Sequence, residues 1–179
     1  MSRWKSLSSK TALEDPWMRI VRHEVVKPDG SRGIFHVHEK EDFVVVIARK
    51  GNRFFLVEQE RFTIGKRSLE FPMGGMELGE SPEETARREL REETGLTCDI
   101  LESIGYSYVA NGFSTQGFHV FVGEVTKENP THHPEGSESD LVVVEYTLKE
   151  LKKLIRKDIL TDAPSLAAFG IYLVKRTMA

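Results

Sequence analysis

Apolar positions alternate with polar ones through Met18 and Ile20 to Val25 and Val26, stop at Lys27-Pro28-Asp29-Gly30, and resume at Ile34, Phe35 and Val37. A two-residue period broken by a Pro-Asp-Gly segment predicts a β-hairpin. A second pair follows. Phe43 to Ala48 is apolar at every position, as in a strand covered on both faces, Lys50-Gly51-Asn52 supplies a turn, and Phe54 to Glu58 returns. The first sixty residues are therefore expected to be rich in β-structure.

From Ser81 the period lengthens. Ser81 suits an N-cap, Pro82 fits a first helical turn, Glu84 completes a capping box, and Gly95 offers a C-terminal stop. Glu, Ala, Arg and Leu dominate between them, so a helix of about 13 residues is predicted. Strands are expected again over Leu101–Val109, Phe118–Val125 and Leu141–Tyr146. Helices are expected over Leu148–Arg156 and from Pro164 to Arg176, the second capped by Asp162. Mixed strands and helices without regular βαβ alternation predict an α+β fold. The one composition shift falls near Lys40, which separates a β-rich segment, residues 1–40, from the rest of the chain, residues 41–179.

Composition narrows the classes. With 179 residues, 39% hydrophobic and 30% charged, the chain can bury a core and is not of disordered composition. A six-residue apolar maximum falls far short of the roughly 20 needed to cross a bilayer, and the polar start lacks a secretory apolar stretch, so no membrane association and a cytoplasmic location are expected. Cys98 stands alone, which rules out an internal disulfide and an all-Cys zinc site. A net charge of −3 offers no basic surplus for nucleic acid. Gly65-Lys66-Arg67-Ser68 is not a phosphate-binding P-loop, because the required first glycine falls on Glu60.

The chemistry concentrates in the helix. Glu89, Glu92 and Glu93 lie at i, i+3 and i+4, within about 100° of helical arc, so three carboxylates share one face. Like charges so placed repel, and a cation relieves them. Mg²⁺ or Mn²⁺ suits an all-oxygen donor set. Gly74 and Gly75 just upstream permit a tight turn or a close backbone approach that presents a main-chain carbonyl to the same ion. Interleaved Arg87, Arg88 and Arg91 allow the plainer reading of a solvated helix laced with ion pairs.

The joint spacing decides between these readings. Gly74, five residues, Glu80, seven residues, Arg88-Glu89-Leu90, one residue, Glu92-Glu93, one residue, Gly95-Leu96 fills nine specified positions in a 23-residue stretch. The pattern resembles the signature of the Nudix hydrolases. That resemblance implies an α/β/α sandwich carrying a loop–helix–loop motif, here with a small N-terminal antiparallel β-hairpin region. It implies cleavage of a nucleoside diphosphate linked to another group, with Mg²⁺ as cofactor and Mn²⁺ as a substitute. By the same likeness Glu89 and Glu93 are direct metal ligands and catalytic, Glu92 holds a further ion, and the Met73 carbonyl is a main-chain ligand. Arg88 then holds the helix carboxylates in place, and Glu80 assists the metal cluster.

Outside the motif, Leu56-Val57-Glu58-Gln59-Glu60-Arg61, Leu69-Glu70-Phe71-Pro72, the early hairpin and Asp162-Ala163-Pro164-Ser165-Leu166 look like the branch that cleaves ADP-ribose and other nucleoside diphosphate sugars. This implies a homodimer in which the N-terminal strands are exchanged, and a nucleotide-sugar substrate. Arg61 would reach a phosphate, or else is an exposed charge at a strand end. Glu70 would contact nucleoside or metal, or cap backbone groups. Members specific for ADP-ribose carry a proline about sixteen residues past the motif, whereas this chain has Ala110-Asn111-Gly112-Phe113 there. The resemblance thus implies a broader hydrolase accepting ADP-ribose, ADP-sugars or GDP-mannose. Triphosphate or dinucleoside polyphosphate cleavage, and nucleotide-sugar sensing without turnover, are the rivals.

The general base is expected in the acidic stretch 134–140, with Glu138 first and Glu135 and Asp140 behind it. His132 and His133, beside a proline, read as surface residues. Tyr106 and Tyr108 alternate on a strand and read as packing residues in preference to a base-stacking pair.

Overall fold

The structure, a computed structural model, describes residues 3–129, 134, 136 and 139–176. These divide into two compact units, one of residues up to 42 with 108–117, the other of 43–107 with 118 onward.

The first unit holds a three-stranded antiparallel sheet in the order β1 (Lys5–Glu14), β2 (Arg19–Val26), β3 (Arg32–Glu39). The hairpin expected at Lys27–Gly30 joins β2 to β3. Gly30 adopts φ 84° there, in the left-handed region open to glycine, and its N–H bonds the Lys27 carbonyl at 2.9 Å. β1 is an addition to that expectation. Its sequence, KSLSSKTALE, is nearly all exposed, so no apolar alternation marks it. Residues 108–117 join the unit through the backbone of His38, whose N–H bonds the Phe113 carbonyl at 2.8 Å and whose carbonyl accepts from the Thr115 N–H at 3.0 Å.

In the second unit a mixed sheet runs β10 (Val142–Thr147), β5 (Arg53–Arg61), β4 (Phe43–Lys50), β9 (Gly117–Glu128), β8 (Leu96–Tyr108). β4 and β9 are parallel, while β6 (Lys66–Glu70) pairs with β5 and β7 (Met73–Gly75) pairs with β4. The continuous apolar run of β4 has a direct cause. Val45 and Ile47 face a core completed by Leu151 and Phe169 from α2 (Leu148–Arg156) and α3 (Ala163–Arg176). Val44, Val46 and Ala48 face the other way, onto Ala86 and Leu90 of α1 (Pro82–Thr94). Helices thus cover both faces of the sheet, the sandwich that the resemblance implies.

The expected helices occur at the expected places, and α2 starts with a Thr147–Glu150 capping box. Two short strands, β6 and β7, escape the pattern reading because each has too few residues to display a period. β8 starts five residues earlier than expected. Asp99 and Ile100 are both exposed, so the in–out alternation slips between Cys98 and Leu101.

Candidate active site

Local signals set α1. The Ser81 hydroxyl accepts from the Glu84 N–H, the Glu84 carboxylate accepts from the Ser81 N–H, and Gly95 ends the helix at φ 68°. One face turns inward, carrying Ala86 and Leu90 into the core. The same face takes Glu89 and Glu93 with it, leaving them 8% and 1% exposed. Charged groups so deeply placed need partners.

β7 brings a backbone against that face. An added Cβ on Gly74 would stand 2.0 Å from the Glu89 carboxyl carbon, so close approach requires glycine at this position, whereas at Gly75 an added Cβ meets nothing within 4 Å. One residue earlier, the Met73 N–H donates to Glu93 Oε2 at 3.1 Å. The structure therefore brings Met73, Glu89 and Glu93 together.

Arg88 ties the remaining acids. Its Nε and Nη2 donate to the two oxygens of Glu80 at 2.8 and 2.9 Å, Nη1 to Glu89 at 2.7 Å and Glu92 at 3.2 Å, and Nη2 also to the Gly75 carbonyl at 2.9 Å. This is the bracing role expected for Arg88. The guanidinium holds the Glu80 carboxyl down to about 2, helped by the Glu77 N–H and the Thr85 hydroxyl, and the acids in turn raise the pKa of Arg88. Among the described residues, no three His, Cys, Asp or Glu side chains are spaced to enclose an ion as they stand. The donor types nonetheless fit one: carboxylates and a main-chain carbonyl are hard oxygens, and the Glu89 carboxylate packs directly on the Gly74 backbone, where a side chain would otherwise stand. They fit Mg²⁺ or Mn²⁺ and offer nothing soft.

A second charged group adjoins the first. Arg61 and Glu70 form a two-bond ion pair, with Nε to Oε1 at 2.9 Å and Nη2 to Oε2, and Glu70 is buried. The pair raises the Arg61 pKa, with Glu93 and Asp162 contributing through their charge. Burial pushes the Asp162 carboxyl up, and its Oδ2 caps α3 by accepting the Ser165 N–H at 2.8 Å. Glu70 thus meets Arg61, a partner that the sequence reading of either residue does not include. Arg61 is partly exposed and is not a free strand-end charge.

Glu138, Glu135, His132 and His133 lie outside the described residues. Asp140 is described and is engaged elsewhere. Its Oδ2 accepts from the Glu60 N–H at 2.8 Å and from Arg67 Nη1 at 3.1 Å, which anchors the end of the acidic stretch to β5 and β6. Tyr106 and Tyr108 are exposed, the former edge-on to His119 with ring centres 5.0 Å apart. Two contributors escape the sequence reading. Arg67 figures there only within a stretch that fails as a P-loop, and Ser165 only within a helix start. No local signal says that either side chain reaches a distant part of the chain.

The chain matches the NUDIX domain over residues 38–169 and the nucleoside diphosphate sugar hydrolase N-terminal domain over residues 4–38. It is 28% identical over 166 residues to an ADP-ribose pyrophosphatase of Bacillus subtilis (strain 168), covering 93% of this chain and 84% of that protein. It is 30% identical over 167 residues to a methanol dehydrogenase activator of Bacillus methanolicus, covering 92% and 89%. A crystal structure described as an ADP compounds hydrolase shares the fold with TM-score 0.84 at 18% identity, over 99% of this chain and 95% of that one. With the motif helix, its glycine-backed carboxylates and a family match across most of its length, the chain belongs to the NUDIX family and is a Nudix pyrophosphohydrolase.

Proposed function

We propose that the protein hydrolyses the diphosphate bridge of nucleoside diphosphate sugars, ADP-ribose, ADP-sugars or GDP-mannose among them, to a nucleoside monophosphate and a sugar phosphate, with Mg²⁺ and, as a substitute, Mn²⁺. One observation carries the reading: Met73, Glu89 and Glu93 meet where Gly74 leaves no side chain, with Glu92 joined through Arg88. Glu89, Glu92, Glu93 and the Met73 carbonyl would hold the metal. When bound, the divalent ion neutralises the diphosphate and polarises the P–O bond under attack.

The chain's own groups do the rest. Arg61 would offer guanidinium N–H groups to a phosphate, with Glu70 fixing its plane. A carboxylate of the stretch 134–140, Glu138 first, would take the proton of the attacking water as its oxygen bonds to phosphorus and the bridging P–O bond breaks. Asp140 is a poorer candidate, since Arg67 and the Glu60 N–H hold it. Residues 1–40 would form the exchanged part of a homodimer and residues 41–179 the hydrolase domain. The large exposed apolar side chains of the N-terminal segment, Trp17 at 82% exposure among them, support such an interface. No described helix is long and apolar enough to cross a membrane, and a cytoplasmic location is part of this proposal.

The deciding assay presents ADP-ribose, ADP-glucose, GDP-mannose and a nucleoside triphosphate with Mg²⁺ and identifies products. A sugar phosphate with a nucleoside monophosphate is the expected outcome. Pyrophosphate release from the triphosphate alone overturns the substrate class, and tight binding without products overturns catalysis.

A further inference from the structure

Between Glu70, the last residue of β6, and Met73, the first of β7, the chain leaves one pairing and enters another. Phe71 falls in the gap. Its N–H is buried and lies past the end of the β5–β6 ladder, where an unmet donor would be unfavourable. The acceptor comes from 94 residues away: the Phe71 N–H donates to Ser165 Oγ at 2.9 Å.

Ser165 is itself fixed. It is fully buried in the first turn of α3, and its N–H is tied to Asp162 Oδ2. Phe169, one turn further along the same helix, packs on the Phe71 ring with centres 6.2 Å apart. α3 therefore grips Phe71 by its peptide and by its side chain. The next two residues have little freedom. Proline fixes its own φ near about −65°, the Pro72 carbonyl accepts from the Val46 N–H at 2.8 Å, and the Met73 N–H is held by Glu93. Residues 71–73 are thus a short segment tied at three points, to α3 through Ser165, to β4 through Val46 and to α1 through Glu93.

We propose that Ser165 is a positioning residue: its hydroxyl sets the Phe71 peptide and, through Pro72, the direction of the Met73 carbonyl toward a divalent cation. The inference rests on the reading of Met73 as a main-chain ligand and deepens it, because it assigns to the C-terminal helix a part in cation affinity. Without the hydroxyl, the segment loses its tie to α3 at Phe71, and the Met73 carbonyl is aimed by the two remaining ties alone.

Mn²⁺ binding to the full chain, followed by the electron paramagnetic resonance of the free ion with no substrate present, tests this directly. Ser165→Ala should weaken Mn²⁺ binding about 10-fold, the scale of an outer-shell partner's loss. Ser165→Thr, which keeps the hydroxyl, should bind more tightly than Ser165→Ala. Val125→Ala, a cavity in the other core cluster, to which Phe71 does not belong, controls for lost stability and should bind Mn²⁺ more tightly than Ser165→Ala. If Ser165→Ala gives no soluble protein, Ser165→Cys keeps the volume with a weaker acceptor and is read the same way.

The proposal is overturned if Ser165→Ala lowers the melting temperature yet binds Mn²⁺ like the parent, or if Val125→Ala weakens binding equally. Glu93→Gln separates the metal site from its support. Parent-like Mn²⁺ binding in that variant removes the metal reading itself, whereas its loss beside intact binding in Ser165→Ala removes only the role of Ser165.

Discussion

Glu93 combines near-complete burial with a hydrogen bond from the very residue whose carbonyl is proposed as a ligand, so exchange of one oxygen for an amide changes charge with little change of volume. Glu93→Gln should keep the fold and lower kcat with Mg²⁺ by at least about 100-fold, which steady-state kinetics beside a thermal melt will check. Turnover within a few-fold of the parent means that Glu93 holds no essential ion. Glu80 makes a different kind of prediction. Its carboxyl lies at about 2 in the folded chain against an ordinary 4.5, chiefly through Arg88, so folding favours the ionised form. A depressed carboxylate adds stability that is fully present above the ordinary value and fades as pH falls toward the folded one. The melting-temperature gap between the parent and Glu80→Gln should hence be constant from neutral pH to about 5 and close between 4.5 and 2. A gap independent of pH would show that Glu80 acts by shape and not by charge. These acids were legible because helical period and motif spacing both act over a few residues. The Arg67–Asp140 pair, whose members lie 73 residues apart, and the Arg61–Glu70 pair, whose members stand at opposite ends of the β5–β6 ladder, depend on side-chain reach and packing that no residue type announces.

Elements with strong local chemistry were the readable ones. α1 has cap, proline, capping box and glycine stop in sequence, and the structure places each where those residue types predict. Ser81→Ala removes both an acceptor for the Glu84 N–H and a donor to its carboxylate. A differential scan should show the melting temperature lower by about 2–4 °C, the scale of one lost cap in a chain of this size. Because the helix entry lies outside the carboxylate face, KM should stay unchanged, and a KM shift larger than that in kcat would mean that fraying at the entry reaches the substrate. β1, β6 and β7 were unreadable for the converse reason. β1 is polar and exposed along nearly its whole length, and the other two are short segments fixed by neighbours, β6 by β5 and β7 by β4. Gly74 matters for proximity to Glu89 and not for a turn, a distinction visible only once β7 and α1 are packed together.

At the scale of the whole molecule, the composition break near Lys40 and the two compact units concern the same stretch of chain, but the joining of residues 108–117 to the first unit could not be read from it. That segment joins through backbone bonds to His38, which any sequence can make. The first unit also keeps Trp4, Leu7, Leu13, Trp17 and Ile34 substantially exposed. Scattered apolar residues on a surface are ordinary, and it is the number here, two tryptophans and three aliphatic side chains within a 34-residue stretch, that motivates the proposal of a covered surface. If a second copy covers it, sedimentation velocity at micromolar concentration should give a species of twice the 20.4 kDa chain mass. The double variant Trp17→Ser, Ile34→Lys should shift that species to the single-chain mass, since a lysine buried at an interface without a partner is strongly unfavourable. Turnover should fall in the same sample if the exchanged strands help to form the substrate cleft, while Mn²⁺ binding should stay intact because its proposed donors all come from β7 and α1. A parent that sediments as a single chain with full activity would remove the dimer and leave the carboxylate site untouched, so the two proposals stand or fall on separate measurements.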